Sequence, residues 1–508
     1  VERDVAVGRR EVERLEEEVG SSPLYNEDLA PTGAEQRTWT TYNIAALWVG
    51  MSVVITTYTL ASGLMVAGMN WWQALLTVAL GNVLVLIPML LNAHAGTKYG
   101  VPFPVFVRSS FGVRGANFAA IARALVACGW FGIQTWIGGL AVDALATAAY
   151  GGWQDVPGHR FITFFVFWGV QVAVIMFGVE GVRRFESFAA PLLLMGGVVL
   201  LVWGFVAGGG VGHVFTASAR LQQGNAPFWS LFWTGLAANV GYWITLSLNI
   251  PDFTRYAKSQ RAQVLGQVIG LPPTMTAFSF LGIAVTAATV VIFGKPIWDP
   301  VALTTKIAGG LPVVLIAAMI IVAIAQISTN MAANVVSPSF DFSNLLPKYI
   351  SFRTGGLITA VIGIISFPWV LYESASAYIF TWLVGYSSLL GAIAAVMISD
   401  YWIVRRRNLS VPDLYKTDGR YAYSGGWNWR AIVAVLVGVV PVIPGFVKAA
   451  TTPNFGGVFQ NPSLVESLYN YGLFFTFFAA GLVYVVLSYA TGGAREPAAE
   501  SGREPEAT

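Results

Sequence analysis

The chain has 508 residues, is 56% hydrophobic and only 11% charged, and carries a formal net charge of +3. Soluble domains carry about 25% charged residues, so the composition excludes a soluble protein and indicates a polytopic membrane domain in a lipid bilayer, with polar ends. The small, dispersed charge gives no reason to expect a nucleic-acid partner, and the single cysteine, Cys128, excludes an internal disulfide or a cysteine metal cluster.

Residues 1–42 are polar and mixed in charge, with R-R-E-V-E-R-L-E-E-E near the start. No apolar signal-peptide core is present, so a short amphipathic helix or a disordered cytoplasmic tail is expected. Twelve apolar spans follow, at 43–67, 71–92, 118–148, 161–179, 187–207, 227–249, 264–293, 311–337, 355–370, 375–399, 430–448 and 467–490. Each is near the ~20 residues that cross a bilayer. The third and seventh are long enough to tilt or to extend beyond it. The transporter domain therefore covers 43–490, and 491–508 forms a polar tail expected to be disordered.

With both termini in the cytoplasm, 23 of the 29 Lys and Arg fall on that side, five fall outside, and Arg123 lies within a span. That asymmetry is the positive-inside signal of a multi-pass cell-membrane protein.

The first span carries Gly50, Ser52, Thr56 and Thr57 at its middle, and the sixth carries Asn239, Gly241 and Thr245. Both are glycine-interrupted and polar at mid-membrane. They stand five spans apart, so they run in opposite directions. Matched interrupted segments of this kind indicate an inverted repeat with a midplane site. Repeat one is expected at 43–207, repeat two at 227–399, and two extra helices at 430–490. Glycine is common in membrane helices generally, but the third and eighth spans form a second matched pair.

In the third span, Trp130 and Gln134 share a helix face at i and i+4. An indole beside an amide can stack on a flat polar ring and hydrogen-bond its edge, and Trp243 could supply a second aromatic surface. Trp71, Trp72, Trp153, Trp298, Trp402, Trp427 and Trp429 fit an interfacial belt instead. The eighth span carries Gln326, Ser328, Thr329, Asn330 and Asn334 together. Such groups avoid lipid. They could simply join helices, but Ala325, Ser328 and Thr329 lie on one face and could offer oxygen ligands to a hard cation.

Asp143 and Glu180 lie near span ends, and Arg123 is close enough to an end to snorkel. Without a buried carboxylate or histidine relay, sodium is favoured over protons as the coupling ion, and a neutral substrate over a charged one. His94, His159 and His213 are scattered and do not resemble a metal set. No Ser/His or paired-carboxylate constellation suggests an enzyme, so a membrane-embedded enzyme is a remote alternative.

Five stretches carry a resemblance: N-E-D-L-A-P-T-G-A-E-Q-R-T-W (26–39), H-A-G-T-K-Y-G-V-P-F-P-V-F-V-R-S-S-F-G (94–112), N-I-P-D-F-T-R (249–255), A-A-N-V-V-S-P (332–338) and M-I-S-D-Y-W-I-V-R-R-R (397–407). Over residues 26–425 the chain resembles the nucleobase–cation symport-1 family. It is most like bacterial allantoin permeases and is also similar to the bacterial hydantoin transporter. The resemblance implies an all-α fold of twelve helices, leucine-transporter-like, with a 5+5 inverted repeat. It also implies sodium symport of allantoin, a hydantoin or a nucleobase such as uracil by a monomeric carrier, with proton coupling as the alternative.

By motif, Trp130 and Gln134 match the stacking and hydrogen-bonding residues, Trp243 the second aromatic wall beside Gly241, Asn334 a substrate-contacting amide and Leu383 a gate. Gly50, Val53, Ala325, Ser328 and Thr329 match the sodium ligands. Val54 stands where relatives have Gln or Asn, so Ser52, Thr56 or Thr57 would have to supply one substrate bond. On an ideal helix Asn334 points away from the Ala325–Ser328–Thr329 face. It reaches substrate only if the helix is distorted near Pro338, and Asn330 is the rival.

Overall fold

Apolar segments in a bilayer must satisfy their backbone groups internally, and here they do so as helices. The computed structural model describes residues 9–493 apart from 178, 222–227, 309, 453–454 and 460–461. The tail expected to be disordered lies outside the described residues beyond 493, as does the Glu180 side chain. Among the described residues the only β pairing is two isolated bridges.

An amphipathic helix α1 (Arg9–Val19) precedes the membrane segments. These are α2 (Thr41–Ser52) with α3 (Ile55–Val66), α4 (Trp71–Tyr99), α5 (Ala116–Ala149), α6 (His159–Phe177), α7 (Val179–Ala207) and α8 (Phe228–Asn249). After α9 (Gln260–Phe293) and the short α10 (Pro300–Ala308) come α11 (Pro312–Asn334) continued by α12 (Val336–Leu345), and α13 (Phe352–Ile365). A π-helical turn (Ser376–Leu383) leads into α14 (Val384–Ile398), followed by α15 (Trp429–Val439), α16 (Ile443–Thr451) and α17 (Gly472–Ala490). Eight helical stretches, with α11/α12, the π-helical turn with α14, and α15/α16 each taken as one, are long and apolar enough to cross a membrane. With the α2/α3 pair, α7, α8 and the shorter α13, the described segments are consistent with twelve crossings.

α2 and α3 are bent by 57° at their junction. Val53 (φ −83°, ψ 79°) and Val54 (φ −148°, ψ 154°) leave the helical region there. β-branched residues tolerate that extended backbone well. The expected break in the sixth span is not present: α8 runs unbroken through Gly241. That glycine serves close packing instead. A Cβ on it would lie 2.7 Å from Ser387 Cβ and 3.0 Å from the Leu383 carbonyl of the tenth segment. The distortion expected near Pro338 is present, with α11 ending at Asn334 and Val335 turning out of register (φ −114°, ψ −45°). Pro338 has no N–H to offer the Asn334 carbonyl four residues back.

The helices form two groups. α2/α3, α4, α8 and α9 pack together, and α5, α6, α11 and α13 pack together. Each group takes two segments from each half of the chain, the interleaving that two inverted repeats produce.

The expectation that Arg123 snorkels is overturned. Its side chain is 0% exposed and its Nη1 donates to Asp341 Oδ2 at 3.1 Å. Asp252 and Asp400 are buried too, so the interior holds more carboxylates than hydropathy suggests. Asp143, by contrast, anchors a turn by accepting from Trp153 Nε1 at 2.8 Å and pairing with His159 Nδ1 at 2.7 Å.

A strap from Leu24 to Thr40 crosses the end of the bundle that carries the termini. Asn26 Nδ2 donates to the Pro347 carbonyl and Phe352 N to Asp28 Oδ2, both beside the second group. Thr32 N donates to the Gly100 carbonyl and Arg37 Nη1 to the Thr97 carbonyl, both on the first.

Candidate substrate and cation site

The centre of the molecule is a cluster of rings drawn from four segments. Trp130 of α5 stands against Tyr242 of α8 (5.1 Å between centroids, 76°) and Tyr378 of the π-helical turn (5.9 Å, 88°). Tyr242 also meets Trp243 (4.8 Å, 82°), and Trp243 meets Trp48 of α2 (5.2 Å, 85°). Trp130 and Trp243 are therefore brought into one cluster with Tyr242 touching both. Edge-to-face pairs of this kind hold rings at fixed angles. Trp130 Nε1 donates to Tyr386 Oη at 3.2 Å, and Tyr386 donates to the Gly241 carbonyl at 2.9 Å. Gly241 thus joins the site through its backbone.

Several buried polar atoms have no partner among the described residues: Gln134 Oε1 one turn from Trp130, Trp243 Nε1, Ser52 Oγ one turn from Trp48, and both polar atoms of Gln326 on α11. A buried polar group left unpaired costs ~1–3 kcal/mol, so each of these calls for a partner, and a bound polar ligand is one way to supply it. Ser52, Thr56 and Thr57 were the three candidates to supply the bond that Val54 cannot. Thr56 and Thr57 are both engaged with Tyr242 Oη, at 2.7 and 3.2 Å. Only Ser52 keeps an uncommitted hydroxyl.

The amides of the eighth span are tied to one another. Asn334 Nδ2 donates to Asn330 Oδ1 at 2.9 Å. Asn330 Nδ2 donates to Gln171 Oε1 at 2.7 Å and to the Phe131 carbonyl at 3.1 Å. With both its groups used, Asn330 is placed as a brace between α11, α5 and α6. Asn334 is the member at the helix break.

The candidate cation ligands lie on α2, at the residue that follows it (Val53) and on α11, and α2 and α11 pack against each other. The bend after Ser52 diverts Val54 N to the Ser52 carbonyl and Thr57 N to the Val54 carbonyl. The carbonyls of Gly50 and Val53 consequently lose their i+4 donors, the condition of orphan groups at a helix end. A Cβ at Gly50 would meet nothing within 4 Å, so open space lies beside that residue. Ser328 and Thr329 are buried on the facing helix, and neither hydroxyl hydrogen-bonds to a described residue. Free carbonyls plus free hydroxyls are an all-oxygen donor set, which suits a hard monovalent or divalent cation. Leu383 is fully buried where the π-helical turn becomes α14, its carbonyl close to Gly241.

Tyr242, Tyr378, Tyr386 and Gln171 were not singled out in the sequence. Tyr242 sits in the same G-Y-W triplet as Trp243, and a polar-tipped ring at mid-span was the available signal.

The family of permeases for cytosine/purines, uracil, thiamine and allantoin matches residues 31–472. A purine-uracil permease of Arabidopsis thaliana is 42% identical, covering 91% of this chain and 78% of the relative. An allantoin permease of Bacillus subtilis is 40% identical, covering 92% and 94%. Among solved structures, Mhp1, a nucleobase-cation-symport-1 family transporter in a closed conformation with bromovinylhydantoin bound, superposes with a TM-score of 0.73. It is 28% identical and covers 92% of this chain and 96% of its own. These relatives are membrane permeases and transporters rather than enzymes, and this chain belongs with them, as a member of the nucleobase–cation symport-1 family of cytosine/purine, uracil, thiamine and allantoin permeases.

Proposed function

We propose that the protein imports a neutral, planar, amide-bearing heterocycle (allantoin, a hydantoin or a nucleobase such as uracil) together with sodium, by alternating access. The carrying observation is the set of unpartnered buried atoms, Gln134 Oε1, Trp243 Nε1 and Ser52 Oγ, around a cluster of rings. Trp130 and Trp243 stack on the ring of the substrate; Gln134, Ser52 and Asn334 pair with its N–H and C=O groups. Sodium bridges the Gly50 and Val53 carbonyls to Ala325, Ser328 and Thr329. Its binding fixes the α2/α3 bend and so organises the substrate site, which requires that each ligand raise the affinity for the other equally. Leu383 closes over the site. The positive-inside asymmetry supports a cell-membrane location with both termini, and the strap, in the cytoplasm.

The test is a fluorescence titration of purified protein with allantoin, uracil, hydantoin, cytosine and uric acid, in sodium and in choline. Quenching by one ligand, tightened by sodium and lost in Trp130→Ala, is the expected result. Normal binding by a folded Trp130→Ala protein overturns the site.

Proton coupling is a second reading, favoured by the buried Arg123–Asp341 pair. Uptake driven by a proton gradient without sodium, and lost in Asp341→Asn, would replace sodium with protons.

A further inference from the structure

A cavity of about 310 Å³ opens at the end of the bundle opposite the termini. Its walls are aromatic: Trp136 from α5, Trp298 before α10, and Trp369 and Tyr372 before the π-helical turn. Leu140, Ala302 and three charged side chains, Arg160, Asp299 and Glu373, complete the lining. None of the three is ion-paired within the described residues, although all line one small space. Asp299 Oδ1 is used in capping α10, accepting from Val301 N at 2.9 Å. Tyr372 is 4% exposed, and its hydroxyl is buried with no hydrogen-bond partner among the described residues.

We propose that this cavity is a second binding subsite for the same class of flat, amide-bearing heterocycle, loaded before the central site. The argument rests on the transported class proposed above and on three observations. The volume matches the small end of ligand pockets, ~300–1,000 Å³. The composition repeats that of the centre, with indole faces for stacking and uncommitted polar groups around them. Arg160 and the Tyr372 hydroxyl donate to ring carbonyls, and the carboxylates of Asp299 and Glu373 accept from ring N–H groups.

The third observation is position. Trp298 lies nearly parallel to Tyr378 (25°, 6.4 Å), and Tyr378 is the ring set against Trp130. One tyrosine thus separates the two sites. Its hydroxyl donates to the Thr56 carbonyl at 3.1 Å, which holds it across the passage from the α3 side. A ligand moving inward passes from one indole to the next as Tyr378 swings aside.

The experiment is equilibrium dialysis of purified protein with radiolabelled uracil and, separately, radiolabelled allantoin, counting equivalents bound per chain. Wild type binds two. Trp130→Ala keeps the outer one, and Trp298→Ala keeps the central one. Arg160 is exposed, so Arg160→Gln retains the fold and carries the test if Trp298→Ala does not purify. It weakens one equivalent at least tenfold and leaves the other unchanged. One equivalent in wild type that is lost in Trp130→Ala overturns the outer subsite and leaves the central site standing. One equivalent that survives Trp130→Ala and is lost in Trp298→Ala does the reverse. No binding of either ligand to wild type overturns both.

Discussion

Trp130 and Tyr386 are joined by a 3.2 Å hydrogen bond, indole N–H to phenol oxygen, and Tyr386 in turn donates its O–H to the Gly241 carbonyl. Trp130, on the second helix group, is thereby positioned by α14 and α8. Tyr386→Phe removes both bonds and leaves the ring. At about 1 kcal/mol for one net hydrogen bond, substrate affinity should fall roughly fivefold. Maximal uptake should change less than the half-saturating concentration, a split measurable in proteoliposomes.

Ser52 is the hydroxyl left uncommitted at the helix break. Ser52→Ala should raise the half-saturating substrate concentration several-fold. Thr57→Val, which removes a hydroxyl held at 3.2 Å by Tyr242, should act less on affinity. Equal effects of the two would remove Ser52 from the site.

Ser328 and Thr329 offer hydroxyls that no described residue uses. Replacing both with Ala should abolish the stimulation of substrate binding by sodium while leaving the affinity in choline unchanged. Unchanged sodium stimulation in the double variant would show that the ion sits elsewhere.

The Arg123–Asp341 pair is fully buried. Removing one partner strands the other charge, and Arg123→Met should destabilise the protein by about 3–5 kcal/mol. The double change Arg123→Met with Asp341→Leu should recover most of that loss. Thermal unfolding of the detergent-solubilised protein reads both.

The apolar segments and the α2/α3 interruption were legible because each is written in contiguous residues. Gly50, Ser52 and the paired valines lie within one turn of the break. Other features depend on partners far along the chain. Arg123 finds Asp341 218 positions away, so local hydropathy could show only an arginine near a span end. Gly241 looked like a helix break because its value lies in Ser387 and Leu383, on a helix the sequence does not mark as adjacent. Trp298 read as an interfacial ring for the same reason. Its neighbours Tyr372 and Tyr378 arrive from another segment. Asn330 and Asn334 were both visible as polar intrusions, but their division of labour depends on Gln171 across the helix group.

The strap has a mechanical consequence. Asp28 is fastened beside α13 of one helix group, and Thr32 is fastened at the end of α4 of the other. The backbone between those two residues spans at most roughly 14 Å when fully drawn out. While both fastenings hold, the two groups cannot part at that end by more than this leash allows. The chain therefore carries its own stop, which limits how wide this mouth can gape.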